Sequence, residues 1–486
     1  MSWKDTAEPL LTRMPSVARP EGHVPFKRKL GWTAGVLVLF FFLTNVDLYG
    51  LETGGSRAYG RFSSILAAQQ GSILQLGIGP IVTASIVLQL LGGADLLGLD
   101  TQNNPRDQVL YQGLQKVLVL VMIVLTGFPM VFAANFLPAK PVFGLGVAGT
   151  KWLMFAQIAV GGVLILYMDE VISKWGVGSG IGLFIVAGVS QSLVGGIIGF
   201  PQISGNWGFI PAWVGMALGY REVPSLLTGR GLVEFLFNQG MVVPLITTIL
   251  IFVIVVYAES VRVEIPLSHA RVKGARGRFP VKLIYASVLP MLLVRALQMN
   301  IQFLGRLLSS QLGGLPTWLG AYNDNGQAVS GLFYYLSPIQ SPQDWAWFVF
   351  GGSITQDVWQ IMIRIGVDLT FMLLGGAIFA VFWVETTDMG PEATAQQIQN
   401  SGMQIPGFRQ SPGVLEKVLG RYIPQVTVIG GALVGLLAVM ANMMGTLGNV
   451  TGTSLLLTVS ITYKLYEEIA EEQLMEMHPM MRQMFG

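Results

Sequence analysis

Few residues of this chain are of the kinds that bind metals or perform nucleophilic catalysis. The 486 residues include no cysteine, and the three histidines, His23, His269 and His478, are far apart in sequence. The absence of cysteine excludes disulfides, thiolate metal sites and cysteine nucleophiles, and scattered histidines do not indicate a zinc cluster. We therefore expect no metal ion, no other cofactor and no enzymatic activity.

A glycine cluster is the only motif that superficially resembles a nucleotide site. Gly176 precedes residues 178–182, which read GSGIG. A phosphate loop would follow a strand and carry a Lys-Ser/Thr pair, whereas this cluster opens an apolar run. The ordinary explanation is close helix packing through small residues. A second is a helix start that glycine keeps clear because it lines a cavity.

The composition is that of a membrane protein. Hydrophobic residues make up 52% of the chain and charged residues 12%, about half the charged fraction of an average soluble protein, and mean hydropathy is +0.59. Repeated apolar runs of span length predict an all-α polytopic protein, because a β-barrel would show short alternating segments. We predict about ten transmembrane helices, at 30–50, 74–92, 108–135, 147–169, 178–199, 241–261, 281–304, 366–384, 418–441 and 450–468.

The stretch 51–92 differs from a simple span. Residues 53–72 are polar and rich in small residues, whereas residues 74–92 form a clean apolar run that begins with LQLGIGP. A polar, glycine-rich segment leading into a short span is typical of a broken helix. Irregular backbone at membrane depth is tolerated only inside protein or beside a watery cavity. The stretch therefore indicates a pore or a substrate path.

Ionisable residues are placed by the predicted spans at helix ends. Arg295 and Arg364 are expected toward the external ends of their helices, and no carboxylate, lysine or histidine falls at a confident mid-span position. Ion-coupled transporters and intramembrane proteases usually need such a group, so both are disfavoured. The acidic residues expected at span ends are Asp47, Asp95, Asp169, Glu170, Asp368 and Glu385.

The connection 201–239 divides the spans five and five. An odd number of spans in each half makes the halves opposite in orientation if they are related, and transport paths lie at such inverted-repeat interfaces. Trp-rich residues 344–366 could form a separate interfacial helix, as could residues 7–17. The predicted organisation is a cytoplasmic N-terminal segment, a first half, an external connection, a second half and a cytoplasmic tail, at 1–29, 30–200, 201–239, 240–468 and 469–486.

Basic residues orient the chain and mark two long loops. Residues 1–29 and 262–282 each hold six lysines and arginines, so the positive-inside rule places both termini in the cytoplasm of a cell-membrane protein. The loop 264–282 is either an ordinary topology signal or a protruding basic hairpin that docks on a polyanion such as RNA or lipid. The loop 385–413, on the same face, is either a docking loop or a structureless linker.

Several stretches together resemble the SecY family, the central subunit of the Sec protein-conducting channel, in its archaeal and eukaryotic branch. They follow the family's order over nearly all spans, and the external residues 307–366 match least. The matching stretches are LGIGPIVTASIVLQLL (76–91), YMDEVISKWGVGSGIGLFIVAGVSQ (167–191), VRVEIPLSHARVKGARGRFPVKLIYASVLPMLL (261–293), FWVETT (382–387), IPGFR (405–409) and GNVTGTSLLLTVSITYKLYEE (448–468).

The resemblance implies an hourglass-shaped channel of two inverted five-helix halves. Its constriction would be a ring of apolar side chains that closes around an extended polypeptide and excludes ions by dewetting when idle. Residues 53–72 correspond to the plug, a short helix under the ring that moves aside. The implied ring residues are Ile78, Val82, Ile181, Ile185, Leu292 and Leu457.

The resemblance also implies a lateral gate between spans two and three and spans seven and eight. Thr83, Gln89 and Ser287 are candidate polar contacts there. Many archaeal relatives have an Asn after the position of Ser287, whereas this chain has Val288. That difference predicts either a weaker closed gate or a polar contact held elsewhere.

Ribosome docking by the two basic loops is a further implication of the resemblance. The other implied partners are two small Sec membrane subunits (of the SecE/gamma type and the beta type), signal sequences, nascent polypeptides and membrane lipid. An external engine is expected, because no nucleotide site is present. The residues implied in ribosome docking are Arg271, Lys273, Arg276, Arg278 and Arg409.

Two other functions are considered beside the channel. A secondary transporter with inverted repeats would explain the broken helix, but it needs an ionisable or ion-coordinating site at mid-membrane. A non-transporting scaffold leaves the apolar ring positions and the polar segment 53–72 unexplained. The sequence therefore favours a passive channel that passes unfolded polypeptides across the membrane and releases membrane segments laterally.

Overall fold

The structure is a computed structural model of the full chain. The structure is described for most of the chain. The described residues are 3–22, 24–52, 71–93, 97–99, 104–132, 137–142, 144, 146–200, 207–225, 227–269, 276–282, 284, 289–312, 314–323, 327–350, 354, 356–387, 389–400, 403–404, 412–448 and 450–477.

Ten long helices make up most of the described chain, five on each side of the connection near residues 201–239. The predicted all-α fold with about ten spans is confirmed. The ten are α2 Phe26–Thr44, α3 Gly79–Gly93, α4 Pro105–Phe132, α5 Gly146–Trp175, α6 Gly180–Ile198, α9 Val242–Ser260, α10 Leu289–Gln311, α13 Val358–Thr386, α15 Pro412–Met444 and α16 Gly452–Met477. Six of them are long and apolar enough to cross a membrane: α4, α5, α6, α9, α13 and α15.

The described chain also holds six shorter α-helices, a π-helix at Phe235–Gln239 and a 3-10 helix at Pro342–Asp344. They lie at the N-terminus and in the connections between the long helices. The predicted amphipathic helix at 7–17 instead begins at Trp3 and ends at Leu11. The six are α1 Trp3–Leu11, α7 Phe209–Ala217, α8 Gly229–Glu234, α11 Leu332–Tyr335, α12 Trp347–Phe350 and α14 Pro391–Asn400.

The predicted broken helix is visible where α3 begins. Residues 71–78 form consecutive turns, Gly77 has a φ of +53°, and helix starts only at Gly79. The 15 residues of α3 cover about 22 Å, which is less than the roughly 30 Å of a bilayer's hydrocarbon. Seven of the eight turn residues are buried, as irregular backbone at membrane depth requires.

The eighth predicted span begins earlier than expected. Helix α13 starts at Val358, eight residues before the predicted position, with Asp357 in a capping box with Gln360. The Trp-rich stretch 344–366 is therefore no separate helix. It contributes the four-residue helix α12 and the first turns of α13, and this shift places Asp368 eleven residues into a 29-residue helix rather than at its end.

The two long loops on the predicted cytoplasmic side share one β-sheet. Strands β1 (Arg262–His269) and β2 (Arg276–Lys282) pair antiparallel as a hairpin. Strands β3 (Ala321–Tyr322) and β4 (Ala328–Ser330) pair with each other in a separate sheet. Strand β5 (Met403–Gln404) adds to β1 through Ser268↔Gln404 and His269↔Met403, which gives the strand order β2-β1-β5. The loop 385–413 is thus not a structureless linker in its described part, which holds α14 and β5.

Small residues set a close contact between α13 and α15 in the second half. A Cβ added at Gly376 of α13 would lie 2.5 Å from the carbonyl oxygen of Gly431 of α15, and one added at Gly435 would lie 2.4 Å from that of Met372. Backbones this close leave no room for a methyl group. Gly431 and Gly435 form the small-xxx-small pattern of membrane helix pairs.

Candidate functional site

All six predicted ring residues lie within one continuous hydrophobic core. Five are buried, with exposures of 0–2%, and Ile181 is partly buried against the same cluster. Ile78 lies in the turn that leads into α3, and the others come from four helices far apart in sequence: α3, α6, α10 and α16. The predicted ring residues in this core are Ile78, Val82, Ile181, Ile185, Leu292 and Leu457.

The start of α3 places Ile78 and Val82 on one face. The Val82 amide donates to the carbonyl oxygen of Ile78 at 3.0 Å, so the two side chains are one helical turn apart. The turn before them is fixed to the residues that follow α2, because the Leu48 amide donates to the Gly71 carbonyl at 2.7 Å and the Ile73 amide to the Val46 carbonyl at 2.9 Å.

The glycine cluster before α6 accommodates two side chains from neighbouring helices. Asp169 Oδ1 of α5 accepts a hydrogen bond from the Ile181 amide at 2.9 Å. A Cβ at Gly180 would lie 2.5 Å from that oxygen. Thr33 Oγ1 of α2 accepts from the Val177 amide at 3.0 Å. The cluster therefore serves close packing, and Asp169 supplies the helix cap that Ser179 does not.

The start of α16 is fixed by the end of α15. Asn442 Oδ1 accepts from the Thr453 amide at 2.7 Å and from the Thr453 hydroxyl at 3.1 Å. A Cβ at Gly452 would lie 2.1 Å from the carbonyl carbon of Ala441, so only glycine fits this turn. Leu457 follows Thr453 by one helical turn and is fully buried.

One polar contact joins α3 to α10, the helices on either side of the predicted gate. Asn300 Nδ2 donates to Thr83 Oγ1 at 3.1 Å. Asn300 was not predicted as a gate residue. The signal for it in the sequence is a cluster of three amides within an apolar helix, Gln298, Asn300 and Gln302. Gln89 is 6% exposed, and its Oε1 accepts no hydrogen bond from the described residues. Ser287 and Val288 lie outside them.

A buried ion pair contradicts the expectation that no charge lies at mid-span. Arg295 Nη1 of α10 is 3.1 Å from Asp368 Oδ1 of α13, with side chains 2% and 0% exposed. The error has a structural reason: α13 begins eight residues earlier than predicted, so Asp368 is well inside the helix. This pair removes one of the arguments that disfavoured a secondary transporter.

The predicted docking residues are only partly open to description. Arg276 and Arg278 lie on β2, and the positions of Arg271, Lys273 and Arg409 lie outside the described residues. Since β1 joins β2 and β5 near the hairpin's turn, the chain leading to 405–409 starts beside the residues that lead to 270–275. The sheet therefore places the described ends of the two loops side by side.

The base of this hairpin is joined to the helix that carries Leu457. Lys282 of β2 forms an ion pair with Glu467 of α16, and its ammonium lies 5.5 Å from the centre of the Tyr463 ring. Lys29 of α2 pairs with Glu472, one turn further along α16. The hairpin, the first long helix and the last one therefore meet at one end of the molecule.

Two family profiles match this chain. The profile of SecY matches residues 72–466, and that of the plug domain of Sec61p matches residues 38–71. The predicted plug, 53–72, overlaps the second match, although residues 53–70 lie outside the described structure. The described residues that flank this segment are Glu52 and Gly71.

Curated relatives match over the whole chain. A protein translocase subunit SecY of Haloarcula marismortui is 73% identical over 100% of both chains. The subunit of that name from Archaeoglobus fulgidus is 49% identical, covering 99% of this chain and 98% of its own. The similarity therefore extends over the whole chain and is not confined to the six SecY-like stretches.

Solved structures agree with the sequence relatives. A structure described as a protein-conducting channel has a TM-score of 0.80 and 38% identity, covering 97% of this chain and 98% of its own. Sec61 in the canine ribosome-channel complex from the endoplasmic reticulum has a TM-score of 0.77 and 36% identity over the same shares.

Proposed function

The chain belongs to the SecY family and is a subunit of a protein-conducting channel, and we propose that the six ring residues form its constriction. The observation that carries this proposal is that Val82 of the second long helix and Leu457 of the last one lie in one buried core with the proposed ring residues of α6 and α10. Branched aliphatic side chains at this narrowing close around an extended polypeptide without hydrogen-bonding to it. With no polypeptide present, an apolar constriction dewets and blocks ions.

The lateral gate lies between α3 and α10 in this proposal. The Thr83–Asn300 hydrogen bond holds the closed gate, in place of the asparagine that this chain lacks at position 288. A neutral hydrogen bond stabilises by only about 1 kcal/mol net, so an apolar signal segment can displace it and enter the lipid. Gln89 and Ser287 remain candidate gate contacts, and residues 53–72 the candidate plug.

The partners follow from the family and from the shared sheet. One relative of known structure is Sec61 in a ribosome-channel complex, and the ribosome is a large polyanion. We infer that it docks on the loops that lead away from β1, β2 and β5, with the positive side of the chain and both termini in the cytoplasm of a cell membrane. Two small Sec subunits complete the channel.

Glycine substitutions at Ile78, Val82, Ile181 and Ile185 test the constriction. The quadruple variant, reconstituted in planar bilayers with its partner subunits, should conduct ions when idle, because the dewetted segment is widened and loses its apolar wall. The idle conductance of the parent should be near the baseline of the bilayer.

A matched control separates the pore from general loosening of the core. Val119, Ile123, Ile158 and Ile165 are one valine and three isoleucines of α4 and α5, with 0–2% exposure in the same core. Their glycine variant should lose stability but remain closed to ions. Equal leakage from both variants, or none from the ring variant, would show that the ring is assigned wrongly.

The secondary transporter is not favoured by the buried charges. Arg295 and Asp368 are bonded to each other and to neighbouring groups, as structural ion pairs are. The family relationship covers the full chain, and the relatives are translocase subunits.

A further inference from the structure

Arg295, Asp368 and Gln298 form a polar network that the channel function does not by itself require. We propose that this network, with the backbone of residues 336–339, is a clamp that makes α10, α13 and their connection one moving body, so that the gate opens between α3 and α10. The proposal rests on the gate in the proposed function and names which contacts stay and which break.

The clamp is a network of hydrogen bonds centred on Asp368, which Arg295 joins through Nη1, while its Nε and Nη2 are buried without a partner among the described residues. Asp368 Oδ1 accepts from Arg295 Nη1 at 3.1 Å and from Gln298 Nε2 at 3.0 Å. Gln298 Oε1 accepts from the same Arg295 nitrogen at 2.6 Å. Asp368 Oδ2 accepts from the Ile339 amide at 3.2 Å, and Gln298 Nε2 also donates to the Leu336 carbonyl at 3.2 Å. Each oxygen of the carboxylate is thus bonded.

Burial makes the clamp hard to open. Both charged side chains are 0–2% exposed. Separating them would leave two charges buried without a partner, and uncompensated buried charge is strongly destabilising. Helices α10 and α13 are therefore expected to stay together whenever either of them moves.

Further contacts fix the connection to the same two helices. Gln302 Nε2 of α10 donates to the Phe333 carbonyl at 3.0 Å. Arg364 of α13 donates to the carbonyls of Ser337 and Pro338 at 3.1 and 2.8 Å. Residues 333–339 are consequently bonded to both helices and must follow them.

The α3–α10 contact is of a different kind. The Thr83–Asn300 hydrogen bond joins two neutral, partly buried side chains. Breaking it leaves no buried charge, and water or an incoming segment can replace it. The gate is therefore expected to part along this contact, with Leu292 and Asn300 carried by the clamped body.

An engineered disulfide tests whether α10 and α13 move together. A Cβ at Gly375 would lie 3.6 Å from the Cβ of Val294, within the range of about 3.5–4.5 Å that disulfides span. The V294C substitution also removes the two methyl groups that would crowd the new side chain. The chain has no cysteine of its own, so V294C/G375C introduces a single possible bond.

The comparison variant locks the gate itself. T83C/N300C, joined by a short bis-maleimide, ties α3 to α10. Both variants are reconstituted with their partner subunits, and integration of a nascent signal-anchor segment into lipid is measured. We expect the V294C/G375C disulfide to change integration by less than about twofold, because clamped helices already move as one body, and the gate cross-link to reduce it about tenfold or more.

The possible outcomes distinguish the clamp from the gate. If the V294C/G375C disulfide blocks integration as strongly as the gate cross-link does, the clamp is wrong and the gate stands. If the gate cross-link has no effect, the gate of the proposed function is wrong. The clamp is then decided by disulfide formation, which needs no transport.

The rate of disulfide formation in V294C/G375C measures the contribution of the ion pair. R295M should slow it about tenfold, because unpaired Asp368 draws water between the helices. The double variant R295M/D368M, which buries no charge, should restore the rate even if R295M fails to accumulate. R364M, which removes an arginine that bonds only to the connection, should leave the rate within about twofold of the parent. An unchanged rate in R295M would overturn the clamp.

Discussion

Asp169 illustrates how one carboxylate can fix a pore-lining side chain. Its Oδ1 accepts from the amide of Ile181, the first proposed ring residue of α6, and Gly180 is the residue that lets it come so close. The residue acts on the ring through the backbone and not by facing the pore. Asp169 is therefore a positioning residue for Ile181.

Substitution of Asp169 should loosen the start of α6. D169L removes the only side-chain acceptor described for the Ile181 amide, so the free energy of unfolding should fall by about 1–2 kcal/mol and idle conductance should rise. D169N keeps an acceptor oxygen and should restore both. The measurements are thermal unfolding and planar-bilayer conductance.

The neighbouring carboxylate provides the control. Glu170 accepts from Lys116 of α4 and from Lys174 of its own helix, so E170Q should leave idle conductance unchanged. A D169L channel as tight as the parent would show that the cap does not position Ile181. If D169N leaked like D169L, charge rather than hydrogen bonding would be the cause.

At the residue scale, the sequence led to the ring positions through the family resemblance, and these positions share one core. It did not lead to Arg295 and Asp368. Both are single charged residues within apolar runs, and the depth of Asp368 within its helix depends on where α13 begins. That start is set by the Asp357 capping box and by the hydrogen bond from Arg364 to the connection before α13. A hydropathy pattern shows neither contact.

Helices α13 and α15 pack with their backbones in close contact. This contact depends on Gly376, Gly431 and Gly435, where a methyl group would overlap the facing backbone. In lipid, where the hydrophobic effect does not drive helices together, such close packing is a main source of stability.

An alanine substitution separates packing from helix propensity. G376A should destabilise the protein by about 1–3 kcal/mol, since a backbone atom cannot move aside as a side chain can. G366A on the same helix meets nothing within 4 Å, and should be neutral or stabilising because alanine favours helix. Thermal unfolding in detergent measures both, and equal melting temperatures would contradict this account of the contact.

The long helices were predictable because most of them contain apolar runs of span length, and their number follows from the pattern of these runs. Their boundaries were not, wherever a turn or a cap rather than hydropathy ends the helix, as at Gly79 and Val358. Strand β5 could not be foreseen. Two residues carry no periodic pattern, and they pair with β1 across more than a hundred residues of chain.

At the scale of the whole molecule, the sheet β2-β1-β5 unites loops from both sides of α10 and α13. Reversing charge in R276E/R278E/R409E should weaken ribosome binding, and more at low salt than at high salt, because contacts to phosphates are screened by ions. Co-sedimentation over a series of salt concentrations measures the effect.

The control reverses one charge on the opposite side. Arg230 lies in α8, within the connection between α6 and α9, and R230E should bind ribosomes as the parent does. If the triple variant co-sedimented as well as the parent, the basic loops would serve topology alone.

The proposed ring has a consequence for the way the protein is made. Its residues are distributed from Ile78 to Leu457, and the latter is synthesised about 380 residues later, which takes about 20–75 s at roughly 5–20 residues per second. The Lys29–Glu472 ion pair, 443 residues apart, forms later still. A newly synthesised channel therefore cannot complete the proposed ring until its last helix has entered the membrane. The order of synthesis makes closure of the pore one of the final steps of its biogenesis.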